Sequence, residues 1–519
     1  MASKQPPEES SCGRLPTEIL LQIFTLLRES ELATQSKEDA HLPTASSGVN
    51  RRWRGVACGT PSLWSVITVV TTANRHKWGL RCQNAHIFAQ RAESLPLTWT
   101  FFFDHVDFNS SALVCDLLGL HLDKIEYLVL DQMPVGLLWL RRDKNANPIR
   151  LPRLRHCIVY GRTTLSYPLF SAENLQHITV SGLSDTELPL SLPRLRTIDI
   201  RSEATPLDLY SILGRSPELR KCAISIPPSY SSGSRYGLEE AIRSLPQTLP
   251  NMTTLCLRWR TGSIDLRVLP EMPHLKHLSL GYRQRSGTQV HQQSEEMVNI
   301  FLLLQKVVTS RLRTFHLSLA FADKNYSYAD YCQRFLSFLH PMVELLHLSF
   351  SVWSPSQRLS RTETQDDSEL YQFFSALFAL HAQGNVPLPS LLSIAVTTPH
   401  KSDPARLSEL LLSPAGQRWR SSRTSVPRLD LTIGPLVTNP DLDDDQRRIN
   451  NVLSATLPPI CIDYRIQSDF WKRKMNLGSS SDDVDDENTP LQREQSSKYD
   501  DDYLYYRYYN IPTLSPRTY

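Results

Sequence analysis

The chain has 519 residues, of which 40% are hydrophobic and 21% are charged, and 56 Lys and Arg against 53 Asp and Glu give a net charge of +3. This hydrophobic content supports a folded body. The mildly basic charge is too weak to indicate nucleic acid, and we expect no nucleic-acid partner. No stretch reaches the roughly 18 consecutive apolar residues of a membrane span, and the first residues lack the apolar core of a secretory signal, so we expect neither a membrane protein nor a secreted one.

The nine cysteines are scattered, without a C-x-x-C pair. This pattern predicts reduced thiols in the cytoplasm or the nucleus, and neither a disulfide framework nor a zinc site.

A disordered segment, 1–12, precedes a small helical module at 13–67. Six apolar residues recur at helical spacing after Pro16 and predict an amphipathic helix: Ile19, Leu20, Ile23, Phe24, Leu26 and Leu27. A polar insert, Glu29–His41, separates it from a second helix whose apolar face carries Val49, Trp53 and Val56. Gly59 and Pro61 end that helix. An apolar exit strand containing Leu63 and Trp64 follows.

The order LPTEIL, IF and LL, then VNRRWRGVA, then TPSLWSVI resembles the F-box-like motif of large fungal families. In that family the motif is a helical module that docks on the Skp-type adaptor, and through it the cullin, of a cullin–RING ubiquitin ligase. The resemblance implies adaptor contacts at Leu15, Pro16, Ile19, Leu20, Ile23 and Phe24. It also implies a module core of Val49, Trp53, Val56, Leu63 and Trp64, although Trp53 and Trp64 could instead touch the adaptor. The polar insert is a departure from the compact F-box.

Residues 68–120 form a linking and capping segment. Val66–Val70 and Leu95–Phe103 are predicted strands, and His76–Gln90 between them is a predicted helix.

From 121 to 465 the chain repeats one nine-residue phrase, apolar-x-x-Leu-x-x-apolar-x-apolar, often with Pro in second place. The final alternation predicts a short strand with one buried face. Full copies lie at Leu122–Leu130, Leu151–Val159, Leu192–Ile200, Leu249–Leu257, Met272–Leu280, Met342–Phe350 and Leu388–Val396. Partial copies lie at Asn174–Val180, Glu218–Ile224, Arg311–Leu317 and Pro427–Ile433.

Helical patterns lie between these copies. They are Leu207–Leu213, Leu238–Leu245, Glu295–Val308, Tyr328–Leu339, Ser368–His381 and Ala405–Leu412. A strand and a helix recurring every roughly 20–45 residues predict an α/β fold in which a parallel sheet is stacked as an irregular leucine-rich-repeat solenoid. An ordinary α/β domain with the same alternation is the alternative.

Motifs that carry chemistry are missing from the sequence. We find no phosphate-binding glycine loop, no H-E-x-x-H and no G-x-S-x-G. We therefore expect no enzyme, no cofactor and no metal. Repeat histidines such as His156, His177, His277, His316 and His347 are interpreted as a surface ladder, and Pro440–Asp445 as a solvated loop. Residues 475–519 form an acidic, Tyr-rich tail that we expect to be disordered.

These features together predict a substrate-recognition subunit of a cullin–RING ubiquitin ligase, in which the repeats hold an unidentified client protein. Arg153, Arg155, Arg194 and Arg196 follow the repeat Leu-Pro and are the candidate client-facing residues for an acidic client. The alternative from another class is an interaction scaffold that uses the repeat array without a ligase.

Overall fold

The structure is a computed structural model of the whole chain. It divides into two compact units, Met1–Ile466 and Gln467–Tyr519, and every residue described below lies in the first. The described residues are 15–34, 42–70, 75–102, 117, 119–131, 149–163, 170–183, 192–226, 238–260, 264–283, 299–300, 302–306, 311–320, 328–339, 344–353, 369–383, 390–398, 409–421 and 428–433. The predictions for 1–12, Pro440–Asp445 and 475–519 lie outside them.

Three helices open the described chain: α1 (Thr17–Thr34), α2 (Leu42–Val49) and α3 (Arg51–Cys58). A 3-10 turn at Pro61–Trp64 leads into the first strand. The sequence predicted two helices and a polar insert. Instead, α1 continues into the insert as far as Thr34, where Glu, Leu and Ala favour helix. Residues 35–41 of the insert lie outside the described chain.

A break between α2 and α3 also differs from the single helix that was predicted there. Asn50 lies between the two helices in an extended conformation, and its side chain accepts a hydrogen bond from the Trp53 N–H at 2.8 Å. This is an N-cap, so a new helix starts at Arg51.

Thirteen of the fifteen described strands form one sheet in which each assigned pair is parallel. Apart from β4 and β6, which pair with each other in a separate ribbon, the strands follow chain order across the sheet. They are β1 (Val66–Val70), β2 (Leu97–Phe102), β3 (Ile125–Asp131), β4 (Ile149–Arg150), β5 (His156–Thr163), β6 (Phe170–Ser171), β7 (His177–Leu183), β8 (Thr197–Glu203), β9 (Lys221–Ile226), β10 (Thr254–Arg260), β11 (His277–Arg283), β12 (Thr314–Ala320), β13 (His347–Trp353), β14 (Ser393–Thr398) and β15 (Arg428–Ile433).

Helices lie between the strands, as the alternation predicted. They are α4 (Arg75–Arg91), α5 (Pro206–Arg215), α6 (Leu238–Arg243), α7 (Tyr328–Leu339), α8 (Glu369–Ala382) and α9 (Pro414–Ser421). Helical residues also occur within 299–306 and at 409–412. The coarse prediction of a mixed α/β fold built on a long parallel sheet is therefore confirmed. None of the described helices is long and apolar enough to cross a membrane.

The copies of the phrase at 151, 192, 249 and 272 fold in the same way. In the copy at Leu151–Val159, Leu151 and Leu154 are buried, and the Leu154 N–H donates to the Leu151 carbonyl at 3.2 Å, which closes a turn. The strand starts two residues later, at His156, and Cys157 and Val159 point into the core. Because each phrase puts only alternate side chains into the core, the others remain on the opposite face of the sheet.

Candidate functional site

The inner half of the α1 apolar face is built into the chain's own core. Leu20 and Phe24 are 0% and 1% exposed, and the Phe24 ring packs edge-on against Trp53 with centroids 5.2 Å apart. One turn further, the buried Arg28 guanidinium donates a hydrogen bond to the Val66 carbonyl at 2.5 Å. Leu20 and Phe24 were predicted as adaptor contacts, but the structure buries both. Together with Arg28 they occupy positions i, i+4 and i+8, which share one helix face, and that face is covered by the chain itself.

The outer half of the same face is open. Ile19, Leu26 and Leu27 are 39%, 64% and 46% exposed. Of the other predicted contacts, Pro16 is exposed, whereas Leu15 and Ile23 are half-buried. The helical periodicity places Ile19, Ile23, Leu26 and Leu27 in one stripe. We call these four residues the outer stripe. Leu26 and Leu27 were identified as apolar-face residues in the sequence but were not chosen as contacts.

The predicted module core is placed as follows. Leu63 and Trp64 are buried, and Trp53 and Val56 are partly buried against the same core. Val49 is not in this core, because it is 58% exposed. The prediction treated Val49 and Trp53 as members of one helix, and the break at Asn50 puts them out of phase.

Trp64 joins the helical module to the sheet. Its indole N–H donates to the Ala57 carbonyl at 2.7 Å, and its ring packs edge-on against Phe88 of α4 at 4.9 Å. The Arg91 guanidinium lies 4.3 Å from the ring centroid, within cation–π distance. One continuous core therefore runs from α1 to the sheet, which fixes the outer stripe relative to the first strands.

A second surface lies where the strands begin. At the start of each strand from β3 to β14, apart from β4 and β6, one residue takes part in a chain of backbone hydrogen bonds. Each N–H donates to the carbonyl of the corresponding residue at the start of the neighbouring strand at 2.7–2.9 Å. We call this set the strand-start row. In spatial order it is Glu126, Arg155, Gln176, Arg196, Arg220, Thr253, Lys276, Arg313, Leu346 and Leu392.

The four predicted client-facing arginines lie along this edge of the sheet. Arg155 forms an ion pair with Glu126 at 3.1 Å, and Arg196 approaches Glu218 at 3.6 Å. Arg194 donates to the Asn174 side-chain oxygen at 2.5 Å, and Arg153 is exposed. The structure therefore brings the four to one edge, where two of them already have carboxylate partners.

Further cations of the row were missed by the sequence analysis. Arg220, Lys276 and Arg313 are exposed, and Lys221 is half-buried beside Arg220. Within the described chain, no ion pair joins any of these four to a carboxylate. They occupy the two positions that follow the second Leu of the phrase, so aligning the copies would have revealed them.

Four of the five named repeat histidines, all but His316, are the first residues of their strands, and His316 is the third residue of β12. His156 and His177 are register partners on β5 and β7, and their rings stack with centroids 4.3 Å apart. His316 lies on the same face of β12, where its Nδ1 is 2.7 Å from the Ser349 hydroxyl. Among the described residues, no group of three or more His, Cys, Asp or Glu side chains could hold a metal ion.

The described cysteines are all free thiols. Burial raises the pKa of Cys82 to about 11 and that of Cys157 to about 12. A thiol with so high a pKa is protonated at neutral pH and is a poor nucleophile or metal ligand. These residues serve as small core side chains.

The comparisons with known proteins add no family. No protein-family model matches this chain, and no curated protein is similar to it in sequence.

Proposed function

We propose that this chain is a substrate-recognition subunit of a cullin–RING ubiquitin ligase. Its helical module would bind the Skp-type adaptor through the outer stripe, and its parallel sheet and helices would form an irregular leucine-rich-repeat solenoid that holds the client protein. The observation that carries the proposal is the split face of α1. Leu20 and Phe24 fix the helix in the core, while Ile19, Leu26 and Leu27 stay open.

The physical basis is helix-in-groove recognition. Apolar side chains at i, i+4, i+7 and i+8 of a helix form a stripe that fits an apolar groove on a partner. Burying such side chains contributes roughly 25 cal/mol per Å² of apolar surface. The core that continues through Trp64 would hold the client-binding surface at a constant distance from the adaptor. This rigidity matters because proximity raises the effective concentration of the client lysine at the ubiquitin thioester.

The solenoid part of the proposal is supported by the constancy of the repeat. Strands follow chain order from β7 to β15, and each new phrase adds one strand beside the last. A unit of this kind cannot bury its apolar face alone and needs its neighbours on both sides.

Capture by a recombinant Skp-type adaptor tests the proposal. The double variant Ile19→Asp plus Leu26→Asp changes two exposed positions, so it should fold normally and lose adaptor binding by at least tenfold. The matched control is Gln22→Asp plus Thr25→Asp, which alters exposed polar positions of the same helix and should bind like the wild type. Failure of the wild type to bind the adaptor would favour the alternative, a scaffold that works without a ligase.

A further inference from the structure

The strand-start row includes a run of cations that form no ion pair with a carboxylate of the described chain, because the nearby Glu218 and Glu344 pair with Arg196 and Arg311 instead. Arg220, Lys276 and Arg313 directly precede β9, β11 and β12. Their backbones are linked through Thr253 by N–H to carbonyl hydrogen bonds of 2.8–2.9 Å. Lys221 lies directly beside Arg220. We call these four residues the cationic strip.

The cationic strip differs from the arginines on the neighbouring strands. Arg155 and Arg196 each face a glutamate, at 3.1 Å and 3.6 Å. An acidic partner that approached them would have to compete with those carboxylates. The cationic strip presents no such competition within the described residues, so its charge is available to a ligand.

His277 lies among the members of the cationic strip. This residue starts β11, in register with Thr254 on one side and Thr314 on the other. Its pKa is lowered by burial first and then by the nearby charges of Lys221, Lys276, Arg313 and His347. Three members of the strip therefore act on one point of the surface, which indicates that their positive potentials add.

We propose that the cationic strip is the docking surface for an extended acidic segment of the client, with carboxylates on alternate residues. Neighbouring strands are about 4.8 Å apart, so the three strand steps from Arg220 to Arg313 span roughly 14 Å. An extended peptide advances about 3.4 Å per residue, so about five residues cover the strip. Beyond Arg313 the row continues with Leu346 and the exposed Leu392, which ends the charged part.

The inference rests on the proposed function only in naming the ligand as part of a client. Binding to the strip and binding to the adaptor are separate measurements on the same full-length chain. If the adaptor is captured but no acidic peptide binds, the inference fails alone. If an acidic peptide binds but the adaptor does not, the ligase proposal fails alone.

Fluorescence anisotropy with a labelled ten-residue peptide of alternating Glu and Ser tests the inference directly. We expect the wild type to bind this probe more tightly than the same peptide with Gln in place of Glu, and to lose affinity as salt rises. The triple variant Arg220→Glu, Lys276→Glu and Arg313→Glu should bind at least tenfold more weakly. The milder Lys276→Gln should cost roughly threefold and covers the case in which the triple variant does not fold.

A matched control separates the effect of the cationic strip on peptide binding from the effect of the protein's net charge. Arg51→Glu, Arg215→Glu and Arg418→Glu change three exposed arginines on helices by the same total charge, and this variant should retain binding. Equal loss in both triple variants, equal affinity for the Glu and Gln peptides, or tighter binding of a ten-nucleotide oligothymidylate would overturn the inference.

Discussion

Tyr210 and Asp265 are joined by two hydrogen bonds although 55 residues separate them. The Tyr210 hydroxyl donates to the Asp265 carbonyl and accepts from the Asp265 backbone N–H, both at 3.1 Å. Tyr210 is buried on α5, whereas Asp265 lies in the connection after β10. One side chain therefore satisfies both backbone groups of a residue two strands away and ties a helix to that connection.

Tyr210→Phe should destabilise the fold without changing its shape. The ring remains, but the Asp265 N–H and carbonyl lose their partner. Because Asp265 is only half-buried, the cost should lie at the lower end of the range for an unsatisfied polar group, about 1 kcal/mol. Urea unfolding followed by circular dichroism measures the change in the free energy of unfolding. An unchanged midpoint would mean that water replaces the hydroxyl at no cost.

Phe24 and Leu26 should separate stability from adaptor binding. Phe24→Ala removes a buried ring from the core and should cost about 3–5 kcal/mol of unfolding free energy. Leu26→Ala changes a side chain that is 64% exposed, so its stability should stay within about 0.5 kcal/mol of the wild type. We expect Leu26→Ala nevertheless to weaken adaptor capture several-fold.

Phe24→Ala should therefore have the larger effect on urea unfolding, and Leu26→Ala the larger effect on calorimetric titration of the adaptor. If Leu26→Ala binds the adaptor as tightly as the wild type, the outer stripe is not the contact surface.

The sheet could be predicted from the sequence to within a few residues, because its signal is local. In the copies at 151, 192, 249, 272, 342 and 388 the strand begins at the sixth residue of the phrase. In the first four of them the N–H of the fourth residue donates to the carbonyl of the first, which closes the turn before the strand. Helices such as Tyr328–Leu339 were equally visible from their periodicity.

The two surfaces depend on relationships that the sequence does not display. Leu20 and Leu26 belong to one apolar face, and only packing against Trp53 and the first strand decides which half is covered. The partner of Arg155 lies on β3 and that of Arg196 in the turn before β9, so the register of neighbouring strands decides which cations are neutralised. The phase break at Asn50 depends on a single cap.

Cys157 should resist alkylation in the folded protein. Burial raises its pKa to about 12, so at pH 8 its thiolate is on the order of one part in ten thousand. We expect iodoacetamide to label Cys157 at least 100-fold more slowly in buffer than in urea, as measured by mass spectrometry of tryptic peptides. Cys58, half-buried at the end of α3, gives the internal comparison and should label faster. Rapid native labelling of Cys157 would show that β5 opens readily.

The stacked histidines should make the fold less stable in mild acid. The pKa of His177 is lowered to about 4 by burial first and then by His156, Arg196 and Lys221. The unfolded chain, with a histidine pKa near 6.5, therefore binds more protons than the folded chain between about pH 6.5 and 4. Stability is fully present above this window and is lost as the pH falls through it.

His177→Gln should reduce the loss of folding stability in mild acid. Because His177 is only half-buried, solvent screening reduces its contribution to about 1 kcal/mol between pH 7 and pH 5. The measurement is the free energy of unfolding in urea at the two pH values, for the wild type and for the variant. His274→Gln removes an exposed histidine and should leave the loss unchanged. If the free energy of unfolding of His177→Gln falls as steeply with pH as that of the wild type, the acid sensitivity comes from other groups. The next to test is the half-buried His316, whose pKa is also lowered to about 4.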